Sequence, residues 1–154
     1  MNTQDTESLK SQLIVDEGLK LKPYIDTVGK VTVGVGRNLT DVGLSNDEAM
    51  YLLDNDIQQV QSDLDRSIPW WTDMSGVRQQ VLANMCFNMG VSRLMGFHNM
   101  LAAAESGNYD LAATEMLDST WASQVGARAE RLSVMMRTGG SHNNEVPDGV
   151  ETLR

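Results

Sequence analysis

Cysteine is nearly missing from this chain. Cys86 is the only one, so no internal disulfide can form, and a structural zinc site lacks its usual thiolates. Histidine is almost as scarce: His98 and His142 stand far apart without ligand partners at useful spacing, so neither a metal nor another cofactor is expected. Long apolar runs are absent too, and no segment approaches bilayer-spanning length. The opening MNTQDTESLKSQLIVDEG also lacks the basic-then-apolar order of an export signal. Synthesis in a cytoplasm without stable membrane insertion is the expectation. Basic charge is in deficit as well. A formal net charge of −9 argues against nucleic acid as a partner.

What is present suits a folded enzyme-sized domain. The 154 residues fit one compact domain or two small lobes sharing a long helix, and 41 % apolar residues suffice for a real core. Ten methionines are many, and methionine usually fills irregular gaps between helices. The charge is unevenly spread. Between Asp41 and Asp65 lie seven acids and no base, whereas Lys20, Lys22, Lys30 and Arg37 surround only Asp26, and Arg128, Arg131 and Arg137 outnumber Glu130. Such stretches are either solvated faces or the wall of a locally positive cleft.

Residues 3–17 read as a helix, with Thr6 or Asp5 as cap, Leu9, Leu13 and Ile14 as its stripe, and Gly18 as its stop. The period then changes. Val31, Val33 and Val35 alternate with Thr32, Gly34 and Gly36, which predicts a strand with a valine face turned inward. Asp26-Thr27-Val28-Gly29-Lys30 supplies the hairpin turn before it. The opposite face, Thr32 flanked by glycines, is bare enough to let a ligand approach. Ser45 and Glu48 form a capping box opening a helix to about Arg66, Pro69 ends it, and Ser75 starts another that Gly90 stops. Shorter helices follow near 95–105, 109–118 and 126–136, and Gly139 to Arg154 reads as a loose tail. The expected class is α+β.

Glycosidic bonds are commonly cut by two carboxyl groups, one donating a proton to the leaving oxygen and the other activating water or attacking the sugar. The donor must keep its proton near neutrality, and the C-terminal end of a helix disfavours negative charge, so Glu17 is a reasonable candidate. Asp26, nine residues on, stands at the hairpin, and Thr32 on the return strand could hold a water beside it. By spacing alone this pair is common.

The run Asp16-Glu17-Gly18-Leu19-Lys20-Leu21-Lys22-Pro23-Tyr24-Ile25-Asp26-Thr27-Val28-Gly29-Lys30-Val31-Thr32-Val33-Gly34-Val35-Gly36 closely resembles the active-site segment of the T-even phage lysozymes, glycoside hydrolase family 24. The stretch Asn84–Gly90 resembles the helix end lining that family's cleft, and Gly126–Arg131 through Arg137–Gly139 its C-terminal helix. The resemblance covers residues 5 to 139. It implies a lysozyme-like α+β fold, a small β-hairpin lobe joined by a long helix to a helical lobe. In numbers, this is a single domain 1–139 (small lobe about 18–45, linking helix about 45–66, helical lobe about 67–139 with helix 3–17 packed on it) and a tail 140–154. It implies hydrolysis, with inversion, of the β-1,4 bond between N-acetylmuramic acid and N-acetylglucosamine in peptidoglycan. Glu17 would be the acid, while Asp26 and Thr32 position the water, the carboxyls standing about 6.5–9.5 Å apart. Asn38, Phe87, Asn88 and Arg128 fall at or near substrate-binding positions, Arg128 matching the arginine that pairs with the catalytic glutamate. A monomer acting on peptidoglycan in the periplasm is implied, made in the host cytoplasm and dependent on a holin-type pore.

The departures are specific. Arg37 replaces the family's histidine, which leaves a structural ion pair there rebuilt or absent. Asn38 and Asn88 stand for a leucine and a glutamine, and a helical insertion between Thr40 and Ser45 is missing, as in lambdoid endolysins. The chain is also acidic where familiar members are basic. A lytic transglycosylase would leave Asp26 and Thr32 without a water to position, and a non-catalytic wall-binding module would not need all three catalytic types. Trp70 and Trp71 either stack on sugars or, more ordinarily, plug a helix junction. Trp121 and Cys86 read as core, and His98 as a satisfied polar residue.

Overall fold

The computed structural model describes residues 1–140, so the expected tail beyond Gly140, with His142, Glu145, Asp148 and Glu151, lies outside the described residues. By its internal contacts the chain divides into two compact units, Met1–Met50 and Tyr51–Arg154.

In the first unit, α1 runs Thr3–Glu17. Its cap is Asn2 rather than Thr6 or Asp5. The Asn2 side chain accepts from the Asp5 N–H at 2.8 Å, and the Asp5 carboxylate accepts from the Asn2 N–H at 2.9 Å. Two orphan donors are thereby satisfied reciprocally. Gly18, at φ 79°, closes the helix by donating its N–H to the Ile14 carbonyl. No residue of α1 is buried.

Three antiparallel strands follow in sequence order: β1 Lys20–Ile25, β2 Val31–Gly34 and β3 Arg37–Asn38. The β1–β2 register shifts between Lys20 and Tyr24, around Pro23, which has no N–H to give and sits on an edge strand. The expected strand to Gly36 is shorter than the valine alternation suggested. Gly34 (φ 68°) and Gly36 (φ 67°) turn the chain around Val35 into β3, a conformation that favours glycine. The face expected to be bare is the covered one. Thr32 is 3 % exposed, whereas Val31 and Val33 are half-buried and Val35 is exposed. Thr32 sits on the central strand, paired with Tyr24 on one side and Asn38 on the other, and those side chains flank it.

The Ser45–Glu48 box forms as expected. The Glu48 N–H donates to Ser45 Oγ at 3.1 Å and the Ser45 N–H to Glu48 Oε1 at 3.2 Å, opening α2 at Asn46–Ser67.

The second unit carries the apolar core. Pro69–Asp73 form a short 3-10 turn, and α3 Gly76–Met89 follows, capped by Ser75 and stopped by Gly90. Around it come α4 Val91–Met95, α5 His98–Glu105, α6 Tyr109–Leu117, α7 Thr120–Val125 and α8 Ala127–Thr138. Val81, Leu82, Met85 and Cys86 bury one face of α3 against Leu64, Leu94, Met100, Met116, Leu132 and Met136. Of the ten methionines, Met74, Met85, Met100, Met116 and Met136 are buried, while Met89 and Met135 pack against them. Arg78 ties α3 to the end of α8. Its Nε donates to the Met136 carbonyl at 2.7 Å and its Nη2 to the Arg137 carbonyl at 3.1 Å, while the guanidinium lies 3.6 Å from the Tyr109 ring centroid. Carbonyls that the last turn leaves without partners are thus satisfied from another helix.

Candidate active site

The residues expected to carry chemistry in the first unit are Glu17, Asp26 and Thr32. Glu17 is the last residue of α1, where Gly18 turns the chain away. Its carboxylate stands against the β2–β3 turn: a Cβ added to Gly36 would lie 3.0 Å from Glu17 Oε2. Glycine at 36 therefore serves twice, for its positive φ and for the space it leaves to the acid.

Asp26 opens the hairpin turn, and one of its oxygens is fully engaged. Oδ1 accepts from the Val28 N–H at 3.0 Å and from the Lys30 N–H at 2.8 Å. No described residue donates to Oδ2. The Lys30 carbonyl accepts from the Asp26 N–H at 2.9 Å and from the Thr32 hydroxyl at 3.1 Å. One residue, Lys30, therefore fixes the backbone and side chain of Asp26 and the rotamer of Thr32. With its proton committed to Lys30, the Thr32 hydroxyl has only lone pairs left to offer.

Around this turn lie contacts that the sequence did not announce. Lys30 Nζ donates to Asp41 Oδ1 at 3.1 Å, and the Val31 N–H donates to Thr40 Oγ1 at 2.9 Å. Asn38 spends its amide locally: Nδ2 donates to Asp41 Oδ2 at 3.0 Å, and Oδ1 accepts from the Asp41 N–H at 2.9 Å. Arg37 forms an ion pair with the capping glutamate of α2. Its Nη1 reaches Glu48 Oε2 at 2.7 Å and Oε1 at 2.9 Å, and also the Gly43 carbonyl. That guanidinium, with the Ser45 capping bonds, holds the Glu48 carboxyl below its usual range. A basic residue eleven positions before a capping glutamate was the available clue, but such spacing is uninformative without the turn that joins them.

In the second unit, Phe87 and Arg128 line an open groove of about 610 Å³ together with Leu53, Ile57, Gln80 and Asn84. Phe87 is 47 % exposed, a large aromatic ring left to solvent. Arg128 is held by Asn84, whose Oδ1 accepts from Nε at 2.9 Å and from Nη2 at 2.7 Å. Asn88 is exposed; its Oδ1 accepts from Trp121 Nε1 at 2.8 Å, which leaves its amide hydrogens outward. Trp121 is buried as expected and meets Phe97 edge to face at 6.2 Å. The tryptophan pair divides. Trp71 is buried, with its N–H donated to Asp65 at 2.7 Å, while Trp70 is partly buried and lines a small cavity with Tyr109. Cys86 is buried, and burial pushes its thiol up from the usual range, the opposite of what a nucleophile needs. His98 is exposed at the start of α5. No group of three or more potential metal ligands occurs among the described residues.

A long helix, a small antiparallel sheet and a helical core are the parts of a T4 lysozyme-like α+β fold. Comparison with known proteins agrees. The phage lysozyme family model matches residues 15–137. Similar proteins include a pre-baseplate central spike protein, Gp5, of Enterobacteria phage T4 (30 % identity over 95 % of this chain and 31 % of that protein). Others are a probable T4-type lysozyme 2 of Dictyostelium discoideum (29 %, over 86 % of this chain and 95 % of that one) and a SAR-endolysin of Escherichia phage Mu (30 %, over 71 % and 64 %). The chain thus spans only about a third of the spike protein. It belongs to the phage lysozyme family. That membership, with relatives named lysozyme and endolysin, supports a lysozyme of the glycosidase type.

Proposed function

We propose that this protein is an endolysin that hydrolyses the β-1,4 bond between N-acetylmuramic acid and N-acetylglucosamine in peptidoglycan, with inversion, for host cell lysis. The observation that carries the reading is the state of the Asp26–Thr32 pair. Asp26 Oδ2 and the Thr32 lone pairs are both acceptors, because Asp26 Oδ1 and the Thr32 proton are already committed. Two acceptors take both hydrogens of one water and leave its own lone pair free to attack. Glu17 donates its proton to the departing glycosidic oxygen as the water adds to the anomeric carbon, and Asp26 takes the water's proton. Phe87, Asn88 and Arg128 in the second unit and Asn38 in the first contribute glycan contacts. No cofactor takes part, and the enzyme acts as a monomer. Synthesis in the host cytoplasm and access to the periplasm through a holin-type pore complete the reading.

A lytic transglycosylase needs no water, which leaves the double-acceptor arrangement without a task. A purely wall-binding module leaves it equally unexplained. The deciding experiment compares wild type with Glu17→Gln and Asp26→Asn on chloroform-treated Gram-negative cells and on purified peptidoglycan. Both variants should lose at least about a thousandfold in rate while folding normally, and the wild-type products should carry reducing rather than anhydromuramyl ends. Anhydro ends would establish the transglycosylase, and equal, negligible lysis by all three proteins the binding module.

A further inference from the structure

We infer that Lys30, Asp41 and Asn38 form a positioning circuit that sets the water-holding geometry of Asp26 and Thr32. The inference rests on the catalytic reading above and adds residues to it. The hairpin tip, Thr27 to Gly29, is exposed and has no side chain of its own tied elsewhere among the described residues. The side-chain anchor of its return leg is Lys30, through Nζ to Asp41, beside the Val31 N–H bond to Thr40 Oγ1. Asp41 is in turn fixed by both ends of the Asn38 amide. Asn38 stands directly across from Thr32 in the β2–β3 register.

The loop therefore closes on itself, from Thr32 to Asn38, Asp41, Lys30 and back to Thr32 and Asp26. Every link but the cross-strand pairing is a hydrogen bond of 2.8 to 3.1 Å. The Lys30 ammonium touches no reacting atom in this arrangement. It fixes where the Lys30 N–H and carbonyl stand, and these hold Asp26 Oδ1 and the Thr32 hydroxyl. Asp41 lies in the short connection from β3 to α2, so the brevity of that connection is what brings a carboxylate to Lys30. As the pair is partly exposed, its contribution to global stability is small, and its effect falls on geometry.

The test is Lys30→Met in the full chain, which removes the ammonium but keeps the backbone groups that bind Asp26 and Thr32. Expected are a fall in kcat of about ten- to a hundredfold with KM unchanged, near-normal thermal unfolding, and recovery of most of the rate in Lys30→Arg. Amide exchange at Val28 and Lys30 should quicken in Lys30→Met. Asp41→Asn, which retains size and the Asn38 contacts, should act in the same direction and covers the case in which Lys30→Met does not fold. Undiminished kcat, or unchanged exchange at Val28 and Lys30, overturns the circuit. If Glu17→Gln proves fully active, the catalytic reading fails instead, and the exchange rates still judge the circuit by themselves.

Discussion

Every buried hydrophobic side chain among the described residues lies at Val60 or later, whereas the Met1–Met50 unit buries one side chain, Thr32, and that one is polar. The second unit is organised by close-packed methionine, leucine and alanine. The first is organised by turns, caps and carboxylates that each serve more than one partner. Packing of the first kind tolerates little loss of volume but is indifferent to charge. The polar kind contributes less free energy per contact, yet it specifies where individual oxygens point. The candidate catalytic oxygens sit in the polar unit, so stability and chemical geometry should respond to different substitutions.

The largest expected effect is in the apolar unit. Met85→Ala removes a fully buried side chain and should cost about 2–5 kcal/mol, read by urea or thermal unfolding, with activity retained at low temperature. Lost activity with unchanged stability would break the distinction. Gly36→Ala comes next. At φ 67°, and with its Cβ forced to 3.0 Å from Glu17 Oε2, it should cost about 1–2 kcal/mol and lower kcat far more than its stability cost suggests. A variant with normal kcat would mean that Glu17 has room to move. Glu48→Gln should have the smallest effect, a slight loss of stability near neutrality that vanishes in acid. Because Arg37 lowers the Glu48 carboxyl below its usual value of 4.5, the pair's stabilisation is fully present above about pH 4.5 and is lost as pH falls through the folded-state value. Melting temperature should therefore decline less steeply on acidification in Glu48→Gln than in wild type. Parallel curves would show that the half-exposed pair contributes nothing measurable.

What could be read in the sequence was local chemistry. Ser45 with Glu48, Gly18, Gly90, Ser75 and Pro69 mark helix ends because caps and breakers act within a few residues. Helices α4 and α7 left no usable period, being only 5 and 6 residues long. The inward face of β2 was misread because alternation shows which residues share a face, but not which face the neighbouring strands cover. Tyr24 and Asn38 decided it in favour of Thr32. At the site, Glu17 and Asp26 by spacing alone were an ordinary pair of acids, and resemblance to a known active-site segment gave them roles. Lys30–Asp41 and Arg37–Glu48, each 11 residues apart, were illegible because their meeting depends on turn geometry rather than on residue type.

Cys86 gives the molecule a built-in reporter. It is the chain's only thiol, it is buried on α3, and none lies in the unit that carries Glu17 and Asp26. Covalent labelling at Cys86 therefore times the opening of the helical core alone. Compared with loss of lysis under the same conditions, it would reveal whether activity disappears before that core opens or together with it.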